Sequence, residues 1–425
     1  MQTIDYRKII AEICRIILGA TFLFSGTVKA IDPVGGEIKM EDYFNAFGLS
    51  FLNPIALFTN INLSAVEFLL GLCIIMAVYR KLTTICMLAF MAFMTLLTLY
   101  LAIFNPVHDC GCFGEAIIIT NWQTFFKNLL ILFPASVVTY IYYKKLTPVY
   151  TYKAYWFVLL FGYIFSAGFS YYNYRNLPIM DFRPYKIGSN ILQSMSFPED
   201  APMDEYQFIY EKDGKKESFT PETAPAGDST WTYVEAKLIK QGYIPPITSF
   251  ELYDEDEDDI AEEILAEENG VFLLISPYLE KASDKKIDEI NNIYDYSIEN
   301  DMRFYCVTNS TKENINTWIN NTGAEYPFLT ADDVTLKTIV RSNPGLVLLK
   351  SGTILTKWHY NDIPSEETAS AVIKELLDTS DQKKDKEMSP WVLVVCCFTL
   401  PLLLVWIYDY FRNRKNNKKE ELLSI

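Results

Sequence analysis

The sequence predicts an α-helical membrane bundle of about six transmembrane helices carrying an extracytoplasmic α/β domain. Three observations predict it: six long apolar stretches, basic residues gathered in alternate connections, and an acidic block between the fifth and sixth stretches. The chain has 425 residues and a formal net charge of -16. Residues Asn173–Met388 hold 41 acidic and 21 basic residues, a net of -20, so the remainder carries +4. An acidic block argues against nucleic acid and anionic headgroups as its partners, since both are polyanions. With only two histidines, His108 and His359, no metal site built from histidine is expected.

A span needs roughly 20 mostly apolar residues. Ile9–Val28, Leu63–Tyr79, Leu82–Phe104, Trp122–Tyr143, Ala154–Tyr172 and Trp391–Phe411 qualify. The first is long for a signal peptide, lacks a small-residue cleavage site and is read as retained. Basic residues at Arg7/Lys8, Arg80/Lys81, Lys144/Lys145/Lys153 and Arg412–Lys419 all fall on one side when six spans are threaded. By the positive-inside rule that side is the cytoplasm, with both termini there. The loops Ala30–Asn62 and Asn105–Asn121 and the acidic block are then periplasmic. The spacing of acids and aromatics over Glu41–Leu49 predicts an amphipathic helix in the first of these loops.

Ionisable residues at membrane depth mark function or internal pairing. Glu12 and Arg15 share a helix face and are expected to pair. Lys29, ending span one, and Glu67, one turn inside span two, lie at similar depth. They form either a structural pair or part of a pocket. Between spans three and four runs His108-Asp109-Cys110-Gly111-Cys112-Phe113-Gly114. Two cysteines around one glycine can close a small, strained ring suited to thiol exchange. A static disulfide or a metal-binding pair are the other readings. His108 or Lys127 is the expected source of thiol activation. The remaining cysteines fall in apolar stretches or, for Cys306, in an apparent strand, and read as inert.

Arg15–Gly19, Phe24-Ser25-Gly26-Thr27-Val28-Lys29-Ala30-Ile31-Asp32-Pro33, Glu67 with Leu70-Gly71, and Cys110–Gly114 together resemble the DoxX/MauE group of small four-helix bacterial membrane proteins. The resemblance covers about residues 1–145. It implies thiol- or quinone-linked redox chemistry, with Cys110 and Cys112 as redox thiols and Lys29, Glu67 and His108 as their pocket.

Beyond the fifth span (146–175), residues 176–241 read as a linker with a hairpin at Asp204–Glu222. From Gly242 strands alternate with helices: a strand at Ile247–Tyr253, a helical acidic run over Glu251–Glu268, then strands at Val271–Ile275, Arg303–Val307 and Thr353–Trp358 and a closing helix Ser365–Asp378. This order, over about 242–380, resembles the thioredoxin-like fold, with Pro344 where that fold has its cis-proline. Leu279 and Ala282 stand where a C-x-x-C would place its cysteines, so the domain lacks a nucleophile. Asn343 and Pro344 then mark a groove for a partner. Residues 389–425 supply the sixth span and a basic tail.

The reading is a bacterial inner-membrane protein in redox maturation of exported proteins, with a quinone as candidate acceptor, membrane lipid as surroundings and an exported client as partner. The alternative is a non-catalytic subunit of an envelope complex. No nucleic-acid role is expected, and whether the chain is an enzyme is left open.

Overall fold

The computed structural model describes residues 5–198, 200–225, 227–379 and 390–423. Among them, six helices are long and apolar enough to cross a membrane. They are Tyr6–Ile31, Ser50–Met76, Arg80–Phe104, Asn121–Ile141, Tyr152–Arg175 and Pro390–Lys415, numbered here as spans one to six. The junction at 380–389, where the sequence reading passes from the α/β domain to span six, lies outside the described residues.

Spans one and two make the closest crossing. A Cβ on Gly26 would lie 2.5 Å from the backbone nitrogen of Phe68, and one on Gly71 would lie 2.6 Å from that of Leu23. Lipid offers no hydrophobic drive between helices, so small residues that let backbones touch carry such contacts. This crossing sets Ser25 and Lys29 against Glu67. Gly26→Ala is expected to force the helices apart at a cost of about 1–3 kcal/mol. Thermal unfolding in detergent measures it, with Gly168→Ala, where a Cβ meets nothing within 4 Å, as the control.

Span four begins with a capping box formed by Thr120 and Gln123. It widens into a π turn at Asn128–Leu132, just ahead of Pro134, which has no N–H to donate. Span six packs Phe398 on Phe68, Phe161 and Phe165. Asp409, which the sequence reading did not single out, holds its far end by accepting bonds from Thr151 N and Oγ1 at 2.6 and 2.5 Å.

The basic connections gather at one end of the bundle. Arg15 donates to the Thr147 carbonyl, Arg80 to those of Lys144 and Leu146, and Lys145 pairs with Asp5. Glu12 and Arg15 form the expected ion pair at 2.8 Å. The C-x-C loop and the α/β domain lie at the opposite end, joined through Asp32 and Arg341. There the helix Pro33–Ala46 follows span one directly. Asp32 caps it by accepting from Gly35 N at 2.8 Å, and Pro33 opens its first turn.

The α/β domain holds two sheets. Strands β1 (Glu205–Lys212), β2 (Lys215–Phe219) and β3 (Thr232–Lys240) pair antiparallel in the order β2-β1-β3. Strands β4 (Val271–Ser276), β5 (Arg303–Thr308), β6 (Phe328–Thr330), β7 (Gly345–Lys350) and β8 (Thr353–His359) form a mixed sheet, ordered β6-β5-β4-β7-β8. β4 runs parallel to β5 and antiparallel to β7. Every residue of β4 is buried because apolar clusters cover both faces of the sheet.

Three sequence expectations change. Ile247–Tyr253 is not a strand; it runs as extended chain whose Ile247, Phe250 and Leu252 enter the core, with an isolated bridge from Tyr253 to Thr330. The acidic run is not one helix: only Ala261–Leu265 coils. Asp254 instead accepts the backbone N–H groups of Asp256 and Asp258, the local competition that makes aspartate a turn former. Residues 176–241 are more than linker and hairpin. Tyr185 and Ile191 lie in the α/β core, and β3 adds a third strand that the Lys- and Glu-studded stretch concealed.

Candidate functional site

Cys110, Cys112, Lys29, Glu67 and His108 all line one cavity of ≈ 380 Å³ at the domain end of the bundle. Its deeper wall is apolar, with Phe90, Phe93, Met94 and Leu97 from span three. Lys29 Nζ lies 2.7 and 2.8 Å from the two carboxylate oxygens of Glu67. Ser25 Oγ lies 2.7 Å from Glu67 and 2.6 Å from the Cys112 carbonyl, so it stands between the ion pair and the cysteine loop and its single proton serves one of the two acceptors at a time.

The loop folds back on itself around Gly111, whose φ of 61 suits glycine. Asp109 accepts the Gly111 N–H at 2.8 Å, and the Cys112 N–H points at Cys110 Sγ, 3.3 Å away. Both cysteines are free thiols. Cys110 is buried beside Thr124, its Sγ 3.5 Å from the Thr124 hydroxyl. A hydrogen bond from the Cys112 thiol draws Cys110 below the ordinary thiol range against the opposing effect of burial, while Thr124 and Lys127 assist. The same hydrogen bond holds Cys112 well above that range, reinforced by burial.

Of the two cations the sequence offered, Lys127 is the one whose charge favours the thiolate at both sulfurs, its ammonium sitting 4.1 Å from the Phe113 ring centroid. His108 is exposed and lines the cavity without touching either thiol. Cys306 is fully buried, and its thiol is pushed up by loss of solvent, which leaves it inert.

The helix Pro33–Ala46 roofs the loop. Lys39 pairs with Asp109 at 2.7 Å and crosses Gly111, while Tyr43 Oη donates to the Cys110 carbonyl at 2.9 Å. Its opposite face, with Glu37 and Glu41, forms a second cavity of ≈ 320 Å³ against Tyr278, Lys281 and Asn343 of the α/β domain. Burial, helped by Glu41 and opposed by Lys281, pushes Glu37 up to about 6. The Asn343–Pro344 bond is cis. Asn343 lines this groove, but its carbonyl accepts from Ser283 N and its side chain bonds Ser276 and Tyr278. Pro344 is buried behind it.

What sequence reasoning missed is the joint between the two parts. Arg341 sends Nη2 to Asp32 Oδ2 at 3.0 Å and Nε to both oxygens at 3.2 Å, and both side chains are buried. Arg341 Nη2 also reaches within 3.9 Å of Glu115, just past the C-x-C loop. No local signal links residues 309 positions apart.

These features define a membrane bundle with a paired-thiol loop above a buried Lys–Glu pair, roofed by a helix and an α/β domain. Residues 7–141 match the family model described as methylamine utilisation protein MauE. Residues 204–241, the three-stranded sheet, match a domain of unknown function (DUF8463). No curated protein matches the chain.

Proposed function

We propose that the protein is a thiol–disulfide redox protein of a bacterial inner membrane, acting in the maturation of exported proteins. The observation that carries this reading is the convergence of Cys110, Cys112, Lys29 and Glu67 on one cavity. In the working step a Cys110–Cys112 disulfide takes two electrons from a pair of client thiols, which become a disulfide. The two electrons and two protons then pass to an acceptor. The aromatic and aliphatic wall beside Glu67 suits a quinone, which would leave as the quinol. The name of the matched family, methylamine utilisation, supports a role in a process of that kind.

The α/β domain is read as thioredoxin-like, from the order of β4, β5, β7 and β8 with their helices. It has no thiol pair, so on this reading it holds a partner rather than exchanging electrons, through the groove beside Tyr278 and Lys281, since the Asn343 side chain is spent on internal bonds. With the basic connections facing the cytoplasm, the domain and thiols share the periplasmic side. The internal use of Asn343 also favours the second reading, a non-catalytic subunit of an envelope complex.

Serine at both Cys110 and Cys112 decides between them. On the redox reading, exported client proteins accumulate in reduced form in cells carrying the double variant, as seen by thiol labelling of the periplasmic fraction. Clients oxidised as in wild-type cells, with the protein still in its complex, favour the scaffold.

A further inference from the structure

A third cavity, of ≈ 300 Å³, opens where the chain leaves span five and is lined by Asp181, Arg183, Lys186 and Lys357. Arg183 and Lys357 both pair with Asp181, at 2.7 and 3.0 Å. Their side chains are 4% and 3% exposed. Arg183 Nη1 bonds the Lys337 carbonyl at 3.3 Å, and Lys357 Nζ also bonds the Ile339 carbonyl at 2.6 Å. That leaves Arg183 Nη2 and one Lys357 proton without a hydrogen bond among the described residues. Lys186 stands exposed at the rim with no ion pair among them.

Buried charges are normally balanced, because an unpaired one costs several kcal/mol. The lining of this cavity is not balanced: Arg183, Lys186 and Lys357 face Asp181 as the one carboxylate among its lining residues, while Arg341 behind them is met by Asp32 and, at 3.9 Å, by Glu115. The crowding is felt at Lys357, which burial and the two guanidinium groups push down to about 8 against the pull of Asp181.

We propose that this cavity binds a phosphate group, seated between Arg183, Lys186 and Lys357. A tetrahedral oxyanion accepts from a guanidinium edge and two ammonium groups at once. Its volume exceeds one phosphate, and its wall continues into Leu177, Pro178, Ile179 and Ile187. The site adjoins the end of span five: Leu177, Pro178 and Ile179 of its wall follow Arg175, the last residue of that helix, whose carbonyl accepts from Asn361. Lipid headgroups and free phosphate therefore both reach it. The domain's overall negative charge does not prevent this, because the cavity lining itself carries three cations against the single carboxylate of Asp181.

The test uses the full chain in neutral detergent at fixed ionic strength, following thermal unfolding. The probes are inorganic phosphate against chloride, and short-chain phosphatidylglycerol against phosphatidylcholine of equal length. The expected result is saturable stabilisation of the wild type, with apparent affinity about tenfold weaker in Lys186→Gln and in Lys357→Gln. Stabilisation by phosphatidylglycerol alone assigns the site to a lipid headgroup, and by inorganic phosphate alone to a soluble ion; either supports it. No stabilisation by either probe, or equal stabilisation of wild type and Lys186→Gln, overturns it. Lys186 is exposed, so that variant decides the matter even if Lys357→Gln does not fold.

Discussion

Arg341→Ala is expected to undock the α/β domain from the bundle at a cost of about 3–5 kcal/mol, the usual penalty for breaking a buried pair by removing one partner. The pair is bidentate, with side chains 5% and 10% exposed, so neither charge has water to fall back on. Asp32 would keep its capping bond to Gly35 but lose its counter-charge. The helix Pro33–Ala46 would keep Lys39 on Asp109, Tyr43 on the Cys110 carbonyl and Asn60 on the Pro33 carbonyl, but without its buried counter-charge its thiol-covering face would loosen. Two readouts follow together: a lower unfolding temperature in detergent and faster alkylation of Cys112. Arg341→Lys should recover part of the stability, since it keeps the charge but loses the fork. If Arg341→Ala leaves both readouts unchanged, the ion pair does not hold the two parts together.

Glu67→Ala carries the second large effect, also about 3–5 kcal/mol, because it strands the Lys29 ammonium at membrane depth. Both side chains are nearly inaccessible, at 4% and 10% exposure. The double variant Lys29→Met, Glu67→Leu removes the stranded charge and should regain most of the stability. That cycle separates structure from chemistry. If the pair serves only to hold spans one and two, the double variant is stable and still oxidises clients. If it serves the thiols through Ser25, the double variant is stable and fails to turn over. Turnover by the double variant at the wild-type rate would remove Lys29 and Glu67 from the mechanism.

The six spans and the Lys29–Glu67 pair were legible because each rests on a short-range signal, apolar length or matched depth; of the roofing helix only Glu41–Ala46 falls inside the expected Glu41–Leu49, because Asp32 and Pro33 start it far earlier and it ends before Phe47. The C-x-C loop was legible as chemistry, but not its activation. Lys127 outweighs His108 because a helix turn carries Lys127 toward Phe113, while the loop turns His108 outward. In the α/β domain, buried runs such as Val271–Ser276 announced themselves, whereas Thr232–Lys240 is exposed along its whole length, so its alternation over Val234–Leu238 marks no buried face. The acidic stretch deceived because the stripe of Ile260, Ile264 and Leu265 is real while Asp254 spends the backbone donors ahead of it on a turn. The Asp32–Arg341 joint and the basic cavity at Arg183 and Lys357 exist only once distant segments meet.

The central claim is that Cys110 and Cys112 cycle between dithiol and disulfide on the face that carries the α/β domain. Intact cells treated at neutral pH with a membrane-impermeant maleimide, followed by intact-mass measurement, test it most directly. The account predicts two added labels after reducing treatment, none after oxidising treatment, and a mixture in untreated cells. Identical labelling under all three conditions would contradict it.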